Sequence, residues 1–182
     1  MPDQKSKLTA KATTRRKLLQ LGGSMALIRG LTFPAATPAS ASTPQKFPDD
    51  LAILNVALGL EHEAVAAYQA GAESRLLTGQ VLETALSFQK DHKHHRDAII
   101  KLIKRYGGTA VEPKPGYDFG VIKTAEDILG LAHKLEQGAV EAYLANAAKL
   151  QNRIILNDAA AILVDEVRHA TVLKLALGLP VT

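Results

Sequence analysis

The stretch Leu60-Glu61-His62-Glu63-Ala64-Val65-Ala66-Ala67-Tyr68 returns 75 residues later as Leu135-Glu136-Gln137-Gly138-Ala139-Val140-Glu141-Ala142-Tyr143. Asp91-His92-Lys93-His94-His95 returns 74 residues later as Asp165-Glu166-Val167-Arg168-His169. Around each segment, apolar residues recur at alternating steps of three and four, which places them on one face of a helix. The chain therefore reads as two helix pairs in which Glu or His interrupts each apolar stripe near its middle.

Working outward, the first stripe is Leu51, Leu54, Leu58, Glu61, Val65, Tyr68 and Ala72, opened by Pro48-Asp49-Asp50, whose acids can cap backbone N–H groups. After a turn at Thr78-Gly79 the second runs Ala85, Phe88, His92, His95, Ile99, Leu102 and Tyr106 and stops at Gly107-Gly108. Residues 109–123, with Pro113, Pro115 and Gly116, read as a non-helical crossover. Thr124-Ala125-Glu126-Asp127 resembles a capping box and opens a third stripe of Leu129, Ala132, Glu136, Val140, Tyr143 and Ala147. The fourth is Ile155, Ala159, Ile162, Glu166, His169, Leu173 and Ala176, ending at Gly178 and Pro180. Short links within each pair and one long link between helices 2 and 3 predict an all-α four-helix bundle with a single crossover connection.

Composition agrees. Tryptophan is absent and aromatics are 4% of residues, so aliphatic side chains and alanine must fill the core, which suits closely packed helices. Cysteine is absent, excluding disulfides, thiolate metal sites and cysteine nucleophiles.

The formal charge of +4 over 182 residues is unevenly placed. Residues 1–41 hold Lys5, Lys7, Lys11, Arg15, Arg16, Lys17 and Arg29 against Asp3 alone, whereas residues 42–182 carry 15 basic and 17 acidic residues. Thr14-Arg15-Arg16-Lys17-Leu18-Leu19 has the form of a twin-arginine export signal. An apolar stretch from Leu21 to Phe33 and a small-x-small cleavage site, Ala39-Ser40-Ala41, follow in the required order. Residues 1–41 are thus expected to be a signal peptide read by the twin-arginine export machinery, and 42–182 the mature, periplasmic or otherwise exported domain. Since that route carries folded cargo, often with a cofactor already inserted, attention turns to metal ligands. The apolar run is far short of the roughly 20 residues needed to span a bilayer, and no later segment is expected to be apolar for long enough to span one. Without its leader the domain gives no electrostatic reason for a nucleic-acid partner.

A carboxylate on an apolar helix face loses hydration worth several kcal/mol and needs a proton, a partner or a metal. Glu61, His92, His95, Glu136, Glu166 and His169 all fall on stripe positions, and residues at i and i+3 reach the same side of a helix. They form a candidate metal site of three carboxylates and three imidazoles, in which Glu61 and Glu136 are expected to lie across from each other and bridge. Oxygen and imidazole ligands without sulfur suit iron, manganese or zinc.

On these residues the chain resembles the ferritin-like superfamily of di-metal carboxylate bundles, over about Leu51 to Gly178. The resemblance implies a dinuclear metal cofactor, iron first and manganese or zinc as alternatives, with Glu61 and Glu136 given by helices 1 and 3 and Glu166 with His169 by helix 4. His95 matches the second-helix His, while His92 stands where that family has Glu. This lowers the anionic charge of the site and its preference for ferric iron, and opens it to zinc or copper. The register Asp91-x-x-His94 would restore a carboxylate but leaves the apolar stripe. The wording is similar to that of exported ferritin-like proteins with little settled chemistry. The resemblance implies metal ions and oxygen or peroxide as partners in Fe(II) oxidation, or else a non-enzymatic metal-sequestering or stress-related bundle; a homodimer is the assembly to look for.

Tyr68 and Tyr143, seven residues after Glu61 and Glu136, read either as core tyrosines with bonded hydroxyls or as a relay beside the site. His94 is expected in solvent, and His62 and His133 at the surface or supporting the ligands.

Overall fold

The computed structural model describes residues 47–181; the signal-peptide reading of residues 1–41 lies outside them. Four helices follow in order: α1 Pro48–Glu73, α2 Gly79–Arg105, α3 Ala125–Ala147 and α4 Arg153–Ala176, with no strand among the described residues. α1 packs along α2 and α3 along α4, and the two pairs join through α1 on α3 and α2 on α4. Residues 106–124 cross from the C-terminus of α2 to the opposite end of the bundle, so α2 and α3 run parallel.

Local chemistry sets the ends. Pro48 begins α1 at a position where its missing N–H costs nothing. Asp49 and Asp50 were expected to cap this helix, but no side chain caps it. Asp50 instead is buried and accepts the backbone N–H groups of Gln151 (3.0 Å) and Asn152 (2.8 Å). The α3–α4 link is thereby tied to the start of α1, about 100 residues away in sequence. Gly107, at φ 78°, and Gly108 close α2 by returning their N–H groups to Lys104 and Ile103. A Cβ on Gly108 would lie 2.9 Å from Ile103 Cγ2, too close for any larger residue without movement. Thr124 and Asp127 form the expected capping box, and Asn152 caps α4 by accepting from Ile154 and Ile155.

Two apolar clusters fill the bundle. One, at the Asp50 end, gathers Leu54, Leu58, Ile99, Leu102, Ile103, Ile155 and Ile162; the other, at the α1–α2 turn, gathers Tyr68, Leu77, Ala85, Phe88, Ile128, Ala132 and Leu173. The inward residues of α3 are Ile128, Ala132, Glu136, Ala139 and Tyr143, so Ile128 and Ala139 replace the expected Leu129 and Val140 in facing the core. One expectation is corrected: α1 is long and apolar enough to cross a membrane by length and composition. It is instead built into the bundle, with Leu54, Leu58, Glu61, Tyr68 and six further residues buried.

Candidate metal centre

Between the two apolar clusters lies a layer of ionisable side chains. All six residues singled out in the sequence reach it: Glu61 from α1, His92 and His95 from α2, Glu136 from α3, and Glu166 and His169 from α4, each at most 7% exposed. They form two overlapping groups, Glu61–His92–His95–Glu166 and His92–Glu136–Glu166–His169, with ligand atoms within 4.8 Å of one another in each. Glu61 and Glu136 stand on opposite sides of His92, one in each group. The residues common to both are Glu166 and His92, because each is the first of an i, i+3 pair and so reaches the middle of the layer.

The hydrogen bonds repeat across the pseudo-two-fold. Tyr68 of α1 donates to Glu136 of α3, and Tyr143 of α3 donates to Glu61 of α1 at 3.1 Å. His95 faces Asp165 with Nε2 at 3.2 Å, and His169 faces Asp91 with Nε2 at 3.3 Å. Each imidazole thus gives its outer N–H to the Asp that precedes the inner residue of the opposite helix, which turns Nδ1 inward. Arg168 ties both acids together, 2.8 Å from Asp91 and 3.1 Å from Asp165. Asp91 and Asp165 escaped the sequence reading as supports of the imidazoles, although their repetition one residue before His92 and Glu166 was the available signal. Asp91 acts from outside the cluster and His94 is exposed, so the Asp91-x-x-His94 register does not form the site.

His92 breaks the symmetry. Its Nδ1 lies 2.9 Å from Glu61 and its Nε2 3.0 Å from Glu136, so one ring spans the two outer carboxylates. Burial alone would lower its pKa, but the bonds to Glu136 and Glu61 overcome that and push it to about 11. His95 is likewise carried against burial to about 10 by contact with Glu166 and Glu61. Burial would raise Glu61 and Glu136, yet the imidazoles around them hold both below the usual carboxylate range. Burial dominates at Glu166, and the neighbouring Glu136 and Glu61 reinforce it, raising this carboxyl to about 8. Burial and the adjoining carboxylates hold both tyrosines well above the usual phenol range, as neutral donors.

A set of atoms in this layer has no hydrogen-bond partner. His95 Nδ1, His169 Nδ1, Glu136 Oε2 and both oxygens of Glu166 are buried and unbonded, though His95 Nδ1 lies 3.1 Å from Glu166 Oε1. Buried polar atoms of this kind are rare and costly, about 1–3 kcal/mol each. Carboxylate and imidazole atoms that converge with bonding capacity to spare are what metal ions require, and this donor set fits divalent first-row metals. The remaining histidines do other work. His62 is buried and bonds the Val111 carbonyl at 3.2 Å, fastening the crossover to α1, and His133 is half-buried in a groove on the outer face of α3 and α4.

Fold and site together define a four-helix bundle with a carboxylate–imidazole cluster at its centre. The model of the ferritin-like domain family matches residues 49–179, and the chain belongs to that family. Among solved structures, it is similar to a conserved hypothetical protein, rv2844, from Mycobacterium tuberculosis at 27% identity, with a TM-score of 0.66 over 73% of this chain and 94% of that one. BfrA from M. tuberculosis matches at 17% identity and a TM-score of 0.68 over 74% of this chain and 86% of that one. Ferritin-like diiron-carboxylate proteins from Bacillus anthracis match at 20% identity and a TM-score of 0.61 over 71% and 95%. No curated protein matches the chain.

Proposed function

We propose that the domain is an exported metalloprotein that holds a dinuclear centre, iron first, and oxidises Fe(II) with oxygen or peroxide. The observation that carries this reading is the convergence of five unbonded buried ligand atoms in two groups that share a carboxylate. Glu61 and His95 would serve one ion, Glu136 and His169 the other, and the two free oxygens of Glu166 would face both; His92 stands between them. Bound iron would supply one-electron chemistry toward oxygen or peroxide. The chain's own part is to exclude water with the apolar clusters on either side, to fix the imidazoles through Asp91 and Asp165, and to hold the outer carboxylates with Tyr68 and Tyr143. The test is elemental analysis of untagged protein beside a Glu61→Ala/Glu136→Ala variant: metal in the first and its loss in the second is expected, and equal, near-zero metal in both would sink the reading.

His92 favours a second reading, metal sequestration without turnover, because three carboxylates neutralise a ferric pair less well than four. Oxygen uptake on adding Fe(II) separates the two, and sustained consumption excludes mere sequestration. Export through the twin-arginine pathway rests on Thr14-Arg15-Arg16-Lys17-Leu18-Leu19 and Ala39-Ser40-Ala41. Replacing Arg15 and Arg16 by Lys should leave the full-length chain in the cytoplasm, and unchanged export would overturn it.

A further inference from the structure

At the α1–α2 turn the bundle leaves a partly open hollow of about 190 Å³, whereas the corresponding hollow beside the other apolar cluster measures about 20 Å³. Small side chains line both: Ala67, Ala85 and Ala132 here, and Ala57, Ala142 and Ala159 at the other end. The helices cannot close the space by approaching. α1 already meets α3 at Gly71, where a Cβ would stand 2.9 Å from Ile128 Cγ2, and Tyr68 fastens α1 to Glu136 one layer further in. Gly71 therefore sets the spacing of the helices here, where the other end carries Asn146 at the matching position.

We propose that this hollow binds a small apolar molecule. An apolar cavity of roughly 150 Å³ takes up benzene, so the space suits an aryl or alkyl group of about six to eight carbon atoms. No charged residue lines it; Gln80 and Thr84 are its uncharged polar members, and a carboxylate or ammonium inside would lose its hydration without a partner. Its inner wall is formed by Tyr68 and Phe88. The Tyr68 hydroxyl is bonded to Glu136, and the Phe88 ring stacks on His169 with centroids 3.9 Å apart. An occupant is thus one side chain from the ionisable layer, yet its binding calls on none of the proposed ligands and does not depend on metal.

The experiment uses the full chain, metal-free and as purified, with toluene as the probe and benzoate as its charged counterpart. Toluene should bind saturably, one per chain, in both preparations, and benzoate should not; no saturable toluene binding, or equal binding of benzoate, overturns the proposal. Ala85→Leu and Ala132→Leu should each weaken toluene at least tenfold with helical circular dichroism retained, and undiminished affinity in both refutes it. In the unaltered protein, toluene should shift the methyl resonances of Leu77, Leu129 and Leu173 and leave those of Leu54, Leu58 and Ile103 in place. Shifts confined to the second set, or shared equally by the two, would place the probe elsewhere and exclude the site.

Discussion

The α3–α4 half of the bundle contributes Glu136, Glu166 and His169 to the central layer, and the α1–α2 half contributes Glu61, His92 and His95 from matching heights. Both halves use the same devices. A tyrosine from each reaches across to the other's outer Glu, and an Asp from each pair holds the other's histidine. They differ at one inner position, carboxylate in one half and imidazole in the other. Glu166 keeps two free oxygens, while both nitrogens of His92 are engaged by Glu61 and Glu136. The difference teaches that a near-symmetric fold can carry an asymmetric site: the carboxylate is left open to ions, and the imidazole stands in for positive charge when none is bound.

If Glu166 is the shared ligand, removing it should take out both ions. Glu166→Ala is expected to lower metal content from about two ions per chain to near none, since neither group keeps enough ligands. Glu61→Ala should leave the His92–Glu136–Glu166–His169 group intact and retain about one ion. Elemental analysis of the two variants checks this. A Glu166→Ala protein that keeps half its metal would mean that the halves bind independently.

The next effect probes the crossed supports. Removing a carboxylate that orients a metal-bound imidazole typically weakens binding about 10- to 100-fold. Asp165→Asn should show this at the ion served by His95, and Asp91→Asn at the ion served by His169, read by competition with a coloured chelator. If each variant instead affected the histidine on its own helix, the crossing would be wrong. His92→Glu acts on the asymmetry itself. By adding a fourth carboxylate it should strengthen retention of ferric iron by about tenfold or more, a change comparable to the roughly 1.4 kcal/mol that corresponds to one decade.

The helices and the inward residues were legible in sequence for one reason: an apolar stripe at helical spacing leaves Glu61, Glu136, Glu166 and the histidines conspicuous. Sharing of ligands was not legible, because it depends on the axial heights at which separate helices meet. The Asp91–His169 and Asp165–His95 pairs were hidden likewise, since they join residues 78 and 70 positions apart and neither Asp lies on its stripe. Asp50 looked like an ordinary cap because its partners, Gln151 and Asn152, come near only when the bundle closes. Alanines at 67, 85 and 132 each read as ordinary core residues, as do those at 57, 142 and 159; only the packing of the helices leaves a large hollow at the first set and a small one at the second.

Acidity gives the next comparison, between metal-free and loaded protein. His92 and His95 have folded pKa values raised to about 11 and 10, so their stabilising contribution is complete below the unfolded value near 6.5 and is lost as pH rises through the folded values. Glu166, raised to about 8, binds its proton more tightly when folded, and its contribution to stability is lost as pH rises from its ordinary value of 4.5 to about 8. The metal-free protein should therefore melt several degrees lower at pH 9 than at pH 6.5. Metal competes with these same protons, so affinity should rise over the lower part of that range and the loaded protein should not show the same fall. Parallel melting curves in chelator and in metal check both signs; a metal-free protein more stable at pH 9 would mean that His92 is neutral between its two carboxylates.

The smallest effect asks whether the two tyrosines are equivalent. Tyr143→Phe removes a donor from Glu61 and Tyr68→Phe removes one from Glu136, and each carboxylate keeps an imidazole contact from His92. A net hydrogen bond of this kind is worth about 1 kcal/mol, which in a domain of this size lowers the melting temperature by about 2–4 °C. By symmetry the two losses should match in metal-free protein. They should separate when toluene is present: Tyr68 lines the hollow at the α1–α2 turn and Tyr143 packs in the filled cluster at the other end, so only Tyr68→Phe should alter the stabilisation that toluene confers. Equal toluene effects in both variants would show that the two ends of the bundle, so unlike in their packing, are energetically alike beside the central layer.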